Sequence, residues 1–249
     1  MKIIVQNLAT EYLDEGTGKV VLFLHGWQDN LHTFDSLVSL LSPVLRIIRL
    51  DLPGFGKSEV PKETWDLNNY VQFIEDFIQK LDIQVYALVG YSFGGRIAIK
   101  GEATKNLQAQ KIILICSAGI AKNRTLRNSL LKILAKIGGL ITYMPPLIFW
   151  REGLRKRIYS FIGSDYLNTG VLKETFLKII SEDLSVSAKK ITTPTLLIWG
   201  ESDTETLLSD GKQLARLIPN SKLKVISGAG HFVHKEKSQE VARLVQEFL

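Results

Sequence analysis

The chain has 249 residues, 45% hydrophobic and 22% charged, with 31 basic and 25 acidic residues and a net charge of +6. That length and balance suit one large globular domain, or a core with one insertion, and exclude a disordered or low-complexity chain. A single cysteine, Cys116 in an apolar run, excludes a disulfide framework and reads as an inert buried thiol.

At the N-terminus, Met1 to Val5 meets Gln6-Asn7 before an apolar stretch of useful length builds up. A secretory leader is therefore not expected, and cytoplasmic residence is the default. Residues 2–14 read as two short strands around Asn7-Leu8, closed by the turn cluster Asp14 to Gly18. Val20 to Leu24 is a continuous apolar run, the pattern of a parallel strand buried on both faces. His25-Gly26-Trp27 breaks it, and Thr33 to Leu41 follows with helical spacing until Pro43.

Val44 to Leu50 is the next strand, ending in the Pro/Gly loop Asp51 to Ser58. The spacing predicts a helix over 69–81, capped by Asn68, with Val71, Phe73, Ile74, Phe77, Ile78 and Leu81 as its buried stripe. Val85 to Val89 is apolar and leads into Gly90-Tyr91-Ser92-Phe93-Gly94-Gly95, after which a helix starts. Lys111 to Cys116 is another buried strand. This alternation predicts a doubly wound, mostly parallel sheet of the α/β class.

Residues 120–187 interrupt the pattern, with helical periods and no convincing strand. They are expected to form a helical insertion that covers a site, leaving 1–119 and 188–249 as the core. Between Ile120 and Ser160, nine basic residues face one acid, Glu152. A solvated face is one reading of that charge; attraction of an anionic substrate or surface is the other. No nucleic-acid module accompanies it. The apolar stretch from Leu130 to Trp150 carries Lys132, Lys136 and Pro145-Pro146, which argue against a spanning helix and leave contact with a membrane surface open. The sheet pattern resumes at Thr193 to Gly200. A helix follows over about 207–218, then a strand at Leu223 to Ile226 and a closing helix over 235–249.

Strand, G-x-S-x-G, helix is the context of a nucleophile elbow. Ser92 is its candidate nucleophile, and Gly90 and Gly94 keep the turn uncrowded. A serine hydroxyl needs a base to take its proton. His231, in the Gly-rich loop after the last strand, is the first candidate; His234 is the alternative. Asp203, after the strand ending at Gly200, would orient the imidazole, with Glu201 and Glu205 as competitors. The backbone N–H groups of Phe93 and Trp27 are the expected oxyanion donors, and His25 is expected to orient the Trp27 loop. In an open parallel sheet all these positions fall outside the carboxyl ends of strands, along one edge.

These stretches resemble the α/β-hydrolase superfamily, in its serine-nucleophile branch with a helical cap. The resemblance rests on His25-Gly26-Trp27, Asp51 to Ser58, Gly90 to Gly95, Trp199 to Asp203, and Gly228 to His231, all in the family's order. Ser92 sets the chain apart from the dehalogenases and epoxide hydrolases of the superfamily, which carry Asp at that position. Many relatives place a proline shortly after the acid, whereas this chain reads Asp203-Thr204-Glu205-Thr206-Leu207. The resemblance implies a hydrolase of a small carboxylic ester, acting through an acyl-enzyme, with no metal and no cofactor. Two alternatives stand beside it: a carbon–carbon bond hydrolase of ring-cleavage products, and a slow or non-enzymatic small-ligand receptor. Leu140, Tyr143, Leu147 and Trp150 are the tentative substrate-pocket residues. The expected partner is a small ester, with an anionic one in view of the basic segment; the sequence leaves the oligomeric state open.

Overall fold

The computed structural model describes residues 1–120 and 172–249. Eight strands form one sheet: β1 (Lys2–Val5), β2 (Leu8–Glu15), β3 (Val20–Leu24), β4 (Arg46–Leu50), β5 (Ala87–Tyr91), β6 (Lys111–Ile115), β7 (Thr195–Gly200) and β8 (Ser221–Ile226). Their order is β1-β2-β4-β3-β5-β6-β7-β8. The first hairpin is antiparallel, β2 pairs antiparallel with β4, and every pairing from β4 to β8 is parallel. This is the doubly wound α/β sheet the sequence predicts.

The central strands are apolar along their whole length because helices cover both faces. Val21 to Leu24, Ile112 to Ile115 and Leu197 to Trp199 are all buried. The helix α1 (Asp35–Leu41) follows a short 3-10 turn and packs with the C-terminal helix. A second group contains α2 (Leu67–Lys80), α3 (Phe93–Thr104), α4 (Lys173–Ser181), α5 (Ser185–Lys189) and α6 (Leu208–Leu217). Within it α3 packs against α2 and α5, and α5 against α6.

Two local expectations need correction. The cap of α2 is Asp66, not Asn68. The Asp66 carboxylate accepts the N–H groups of Asn68 and Asn69 at 2.8 and 3.1 Å, and the Asn69 side chain accepts the Asp66 N–H at 2.8 Å. A carboxylate two residues earlier meets the positive helix end better than a neutral amide does. The closing helix is also two pieces, α7 (Val233–Glu236) and α8 (Ser238–Phe248), broken where Lys237 takes φ −134° and ψ 45°. The short helix α5 lies where no periodicity marks it.

Of the expected helical insertion, residue 120 and residues 172–187 are described, and the latter hold α4 and the start of α5. The basic residues of 121–160 and the pocket candidates Leu140, Tyr143, Leu147 and Trp150 lie outside the described residues. Arg96 of α3 fastens α4 to the core. Its guanidinium is buried and donates to the backbone carbonyls of Ile179 and Glu182, which are orphaned at the end of α4. Lys100, one turn on, pairs with the Glu182 carboxylate at 2.6 Å.

The capping assignment predicts that Asp66→Ala lowers stability by about 1 kcal/mol. Urea unfolding should show this loss for Asp66→Ala and almost none for Asn68→Ala; the reverse pattern would return the cap to Asn68.

Candidate active site

The elbow is built by close approach. A Cβ on Gly90 would lie 2.6 Å from the Gly94 carbonyl oxygen and from the Gly95 Cα. A Cβ on Gly94 would overlap the Leu24 carbonyl, and one on Gly95 the Ser117 side chain. The turn between β5 and α3 therefore closes only with glycine at these places. It drives Ser92 to φ 49° and ψ −107°, a conformation side-chain-bearing residues rarely take. Three backbone bonds hold it there. Ser92 N–H donates to Ile115 at 3.0 Å, while Ala118 and Gly95 N–H donate to the Ser92 carbonyl at 3.1 Å. Tyr91, one residue earlier, is buried beneath the turn between the rings of His231 and His234, at 5.2 and 4.3 Å.

The structure brings Ser92, His231 and Asp203 together from three strand ends. His231 Nε2 is 3.1 Å from Ser92 Oγ, and its Nδ1 is 2.8 Å from Asp203 Oδ2. A carboxylate only accepts, so Nδ1 carries the proton and Nε2 presents its lone pair to the serine hydroxyl. The two loops are tied directly, with Ser202 N–H donating to the Ala229 carbonyl at 2.9 Å.

Asp203 is the best-connected side chain of the site. Oδ1 accepts the N–H groups of Glu205 and Thr206, both at 2.9 Å. Oδ2 lies 2.8 Å from the Thr206 hydroxyl as well as from His231. Burial pushes the Asp203 carboxyl up, but the bond and charge of His231 and the Thr206 hydroxyl outweigh it. The group ends below the ordinary carboxylate value. Thr206 Oγ1 is also 3.0 Å from the Cys116 carbonyl and 3.2 Å from His231 Nδ1. Its single proton serves either the carboxylate or the carbonyl. In the sequence Thr206 stood out only as part of a loop without the usual proline; nothing local marks its hydroxyl as part of the site.

The competitors do not take the places of His231 and Asp203. His234 is buried, with Nε2 3.1 Å from the Thr33 hydroxyl and no bond at Nδ1 among the described residues. Burial, with Lys235 beside it, pushes its pKa down to about 3, so it stays neutral. Glu201 accepts from the Ser227 hydroxyl at 2.6 Å, at the far end of its loop. Glu205 approaches the other ring nitrogen, with Oε2 3.5 Å from His231 Nε2.

The Trp27 loop is held by His25. The Leu52 N–H donates to His25 Nε2 at 2.9 Å, so Nδ1 bears the proton and donates to the Gly26 carbonyl at 2.7 Å. Burial lowers the pKa of His25, in keeping with a neutral ring. Gly94 N–H donates to the His25 carbonyl at 3.0 Å, locking this loop to the elbow. The N–H groups of Trp27 and Phe93 have no partner among the described residues. The Trp27 ring packs on Phe55, Phe93 and Phe176, with centroids at 4.8, 5.3 and 5.0 Å.

Cys116, Asp203 and His231 offer metal-ligand atoms within 4.8 Å of one another. Asp203 and His231 are committed to each other there, and burial raises the Cys116 thiol, which opposes the thiolate a metal needs. The cluster reads as the Asp203–His231 contact beside a buried thiol rather than a metal centre.

The family model for the alpha/beta hydrolase family matches residues 21–244. The chain belongs to that family. It is 26% identical over 264 aligned positions to the uncharacterized hydrolase YugF of Bacillus subtilis (strain 168), covering 98% of this chain and 94% of that protein. Human monoacylglycerol lipase ABHD6 is 25% identical over 253 positions, covering 92% of this chain and 74% of that protein. Among solved structures, the esterase EaEST from Exiguobacterium antarcticum superposes with a TM-score of 0.76 at 22% identity, covering 99% of this chain and 98% of that one. The meta-cleavage product hydrolase CumD from Pseudomonas fluorescens IP01 gives 0.74 at 24% identity, covering 100% and 96%. These likenesses show the α/β-hydrolase fold, and the family makes the chain a hydrolase.

The depressed Asp203 carboxyl has a stability consequence. The unfolded group titrates near 3.8 and the folded group lower, so its contribution is present above that value and fades as pH falls through the folded pKa. Urea melts at about pH 6 and about pH 2.5 should show wild type losing more stability on acidification than Asp203→Asn. Equal losses would contradict the assignment.

Proposed function

We propose that the chain is a serine hydrolase that cleaves a small carboxylic ester through an acyl-Ser92 intermediate. The observation that carries this is the relay Ser92 Oγ, His231, Asp203, with spans of 3.1 and 2.8 Å at the carboxyl edge of the sheet. Ser92 Oγ attacks the ester carbonyl while His231 Nε2 takes its proton. The developing oxyanion meets the N–H groups of Phe93 and Trp27, each worth about 3 kcal/mol in the transition state. His231 then gives the proton to the leaving alcohol as the C–O bond breaks. A water, deprotonated by the same nitrogen, frees the acid. Asp203 stays ionised throughout and stabilises the imidazolium.

This chemistry draws only on side chains and backbone N–H groups. The likeness to a monoacylglycerol lipase and the fold shared with an esterase support an ester as the scissile bond. The insertion over 120–187 is proposed to supply the pocket, and cytoplasmic residence rests on the sequence. Among the described residues no helix is long and apolar enough to cross a membrane.

A short p-nitrophenyl ester, mixed with enzyme in stopped flow, should give a burst of about one equivalent followed by slower steady turnover. Turnover of a ring-fission dienone acid without ester turnover would instead favour carbon–carbon bond hydrolysis, and turnover of neither would favour a receptor. In the same assay Thr206→Val should lower kcat about tenfold, the scale of one lost hydrogen bond to a charged group, with Thr206→Ser restoring most of it. An unchanged kcat in Thr206→Val would remove Thr206 from the relay.

A further inference from the structure

The helix α4, which lies within the expected insertion, is fastened to the core at both ends. Arg96 and Lys100 of α3 hold its end. The loop after β4 holds its start. Leu172 packs against Gly54, where a Cβ would lie 2.7 Å from Leu172 Cδ1. The Thr64 hydroxyl donates to the Glu174 carboxylate, and Trp65 N–H to the buried Thr175 hydroxyl, both at 3.0 Å. These contacts fix the place of the next residue, Phe176. Its half-buried ring meets the Trp27 indole at 5.0 Å, with the planes 44° apart. Phe55 and Phe93 pack against the same indole from the core, at 4.8 and 5.3 Å.

The two candidate oxyanion donors are not held alike. Phe93 N–H opens α3 and is set by the glycine-built elbow. Trp27 N–H lies in a loop. His25 secures that loop where it begins, through Leu52, Gly26 and Gly94. Beyond Trp27, Gln28 takes φ 56°, a left-handed conformation unfavourable for a residue with a side chain. The bond that closes the turn, from Asp29 N–H to the Gly26 carbonyl, is long at 3.4 Å. Such a turn takes its shape from what surrounds it. Gln28 makes a contact of its own. The Trp27 indole adds another hold, wedged among rings of which one comes from α4.

We propose that Phe176 is a positioning residue for the oxyanion hole: its ring holds the Trp27 indole, and through it the Trp27 N–H, in register with the Phe93 N–H. The proposal rests on the ester-hydrolase reading of the site. It gives α4 a part in stabilising the transition state, apart from any pocket the insertion supplies. In this role Phe176 touches no reacting atom, moves no proton and forms no bond. Oxyanion donors act on charge that develops in the transition state. A displaced Trp27 N–H therefore weakens tetrahedral, anionic states and leaves planar ones almost untouched.

Propylboronic acid and butyramide, which share a propyl chain, test this as competitive inhibitors. The boronic acid becomes a tetrahedral anion when Ser92 Oγ adds to boron and the serine proton passes to His231; the amide stays planar. Phe176→Ala should weaken the boronic acid on the order of tenfold and change the inhibition constant of the amide less than about twofold. Its kcat/KM, taken per active site titrated with a fluorophosphonate, should fall by the same factor for p-nitrophenyl acetate, butyrate and hexanoate. Phe176→Leu keeps much of the apolar bulk. It should show the same pattern at about threefold, and it serves alone if Phe176→Ala does not fold. Boronic acid affinity equal to wild type in the folded variants would overturn the proposal. So would an equal loss of the amide, the mark of a general disturbance, or a loss that varies with acyl length, the mark of a wall that touches substrate. Failure of the underlying reading would look different: wild type itself would neither turn over the esters nor bind the boronic acid.

Discussion

The site depends on how closely α3 approaches the sheet. Gly90, Gly94 and Gly95 leave no room for a Cβ against Leu24, Ser117 and one another. That closeness lets Gly94 N–H reach the His25 carbonyl and aims the start of α3 at Ser92. The serine is held at φ 49° as a result, a strain of about 1 to 3 kcal/mol that the surrounding backbone bonds offset. A looser turn would relax Ser92 and part the elbow from the Trp27 loop. The positions of the candidate nucleophile and of both candidate oxyanion donors thus follow from one steric constraint.

The opposite side of the site is organised by hydrogen bonds instead. Asp203 collects two backbone N–H groups, the Thr206 hydroxyl and His231, and these bonds pull its carboxyl down against the effect of burial. A carboxylate held ionised and fixed in direction sets the tautomer of His231 and its ring plane. Cys116 contributes through its backbone carbonyl, which shares the Thr206 hydroxyl with Asp203. Steric closure on one side and a saturated carboxylate on the other leave His231 one way to face Ser92.

Much of this was legible in the sequence, for reasons specific to each residue. Buried parallel strands write themselves as unbroken apolar runs, so β3, β6 and β7 are plain from Val20 to Leu24, Lys111 to Ile115 and Thr195 to Gly200. Ser92 and Asp203 stand out because each follows such a run, and His231 because it ends the Gly-rich loop after β8. His25, between a buried strand and Gly26-Trp27, reads as a loop-orienting residue, and its bonds to Leu52 and Gly26 fit that part. Thr206 and Glu205 were not separable by pattern, because their parts depend on side-chain direction within one turn. Asn68 and Asp66 both satisfy the capping pattern, and only the bonds of the Asp66 carboxylate decide between them. The break at Lys237 carries no proline or glycine to announce it.

The central claim is that Ser92 is a nucleophile activated by this arrangement and not an ordinary turn serine. The most direct measurement is labelling of the folded protein with a fluorophosphonate, read by intact mass and peptide mapping. One equivalent on Ser92, absent after unfolding and in Ser92→Ala, is the predicted result. No adduct on the folded protein, or an adduct on another residue, would contradict the account.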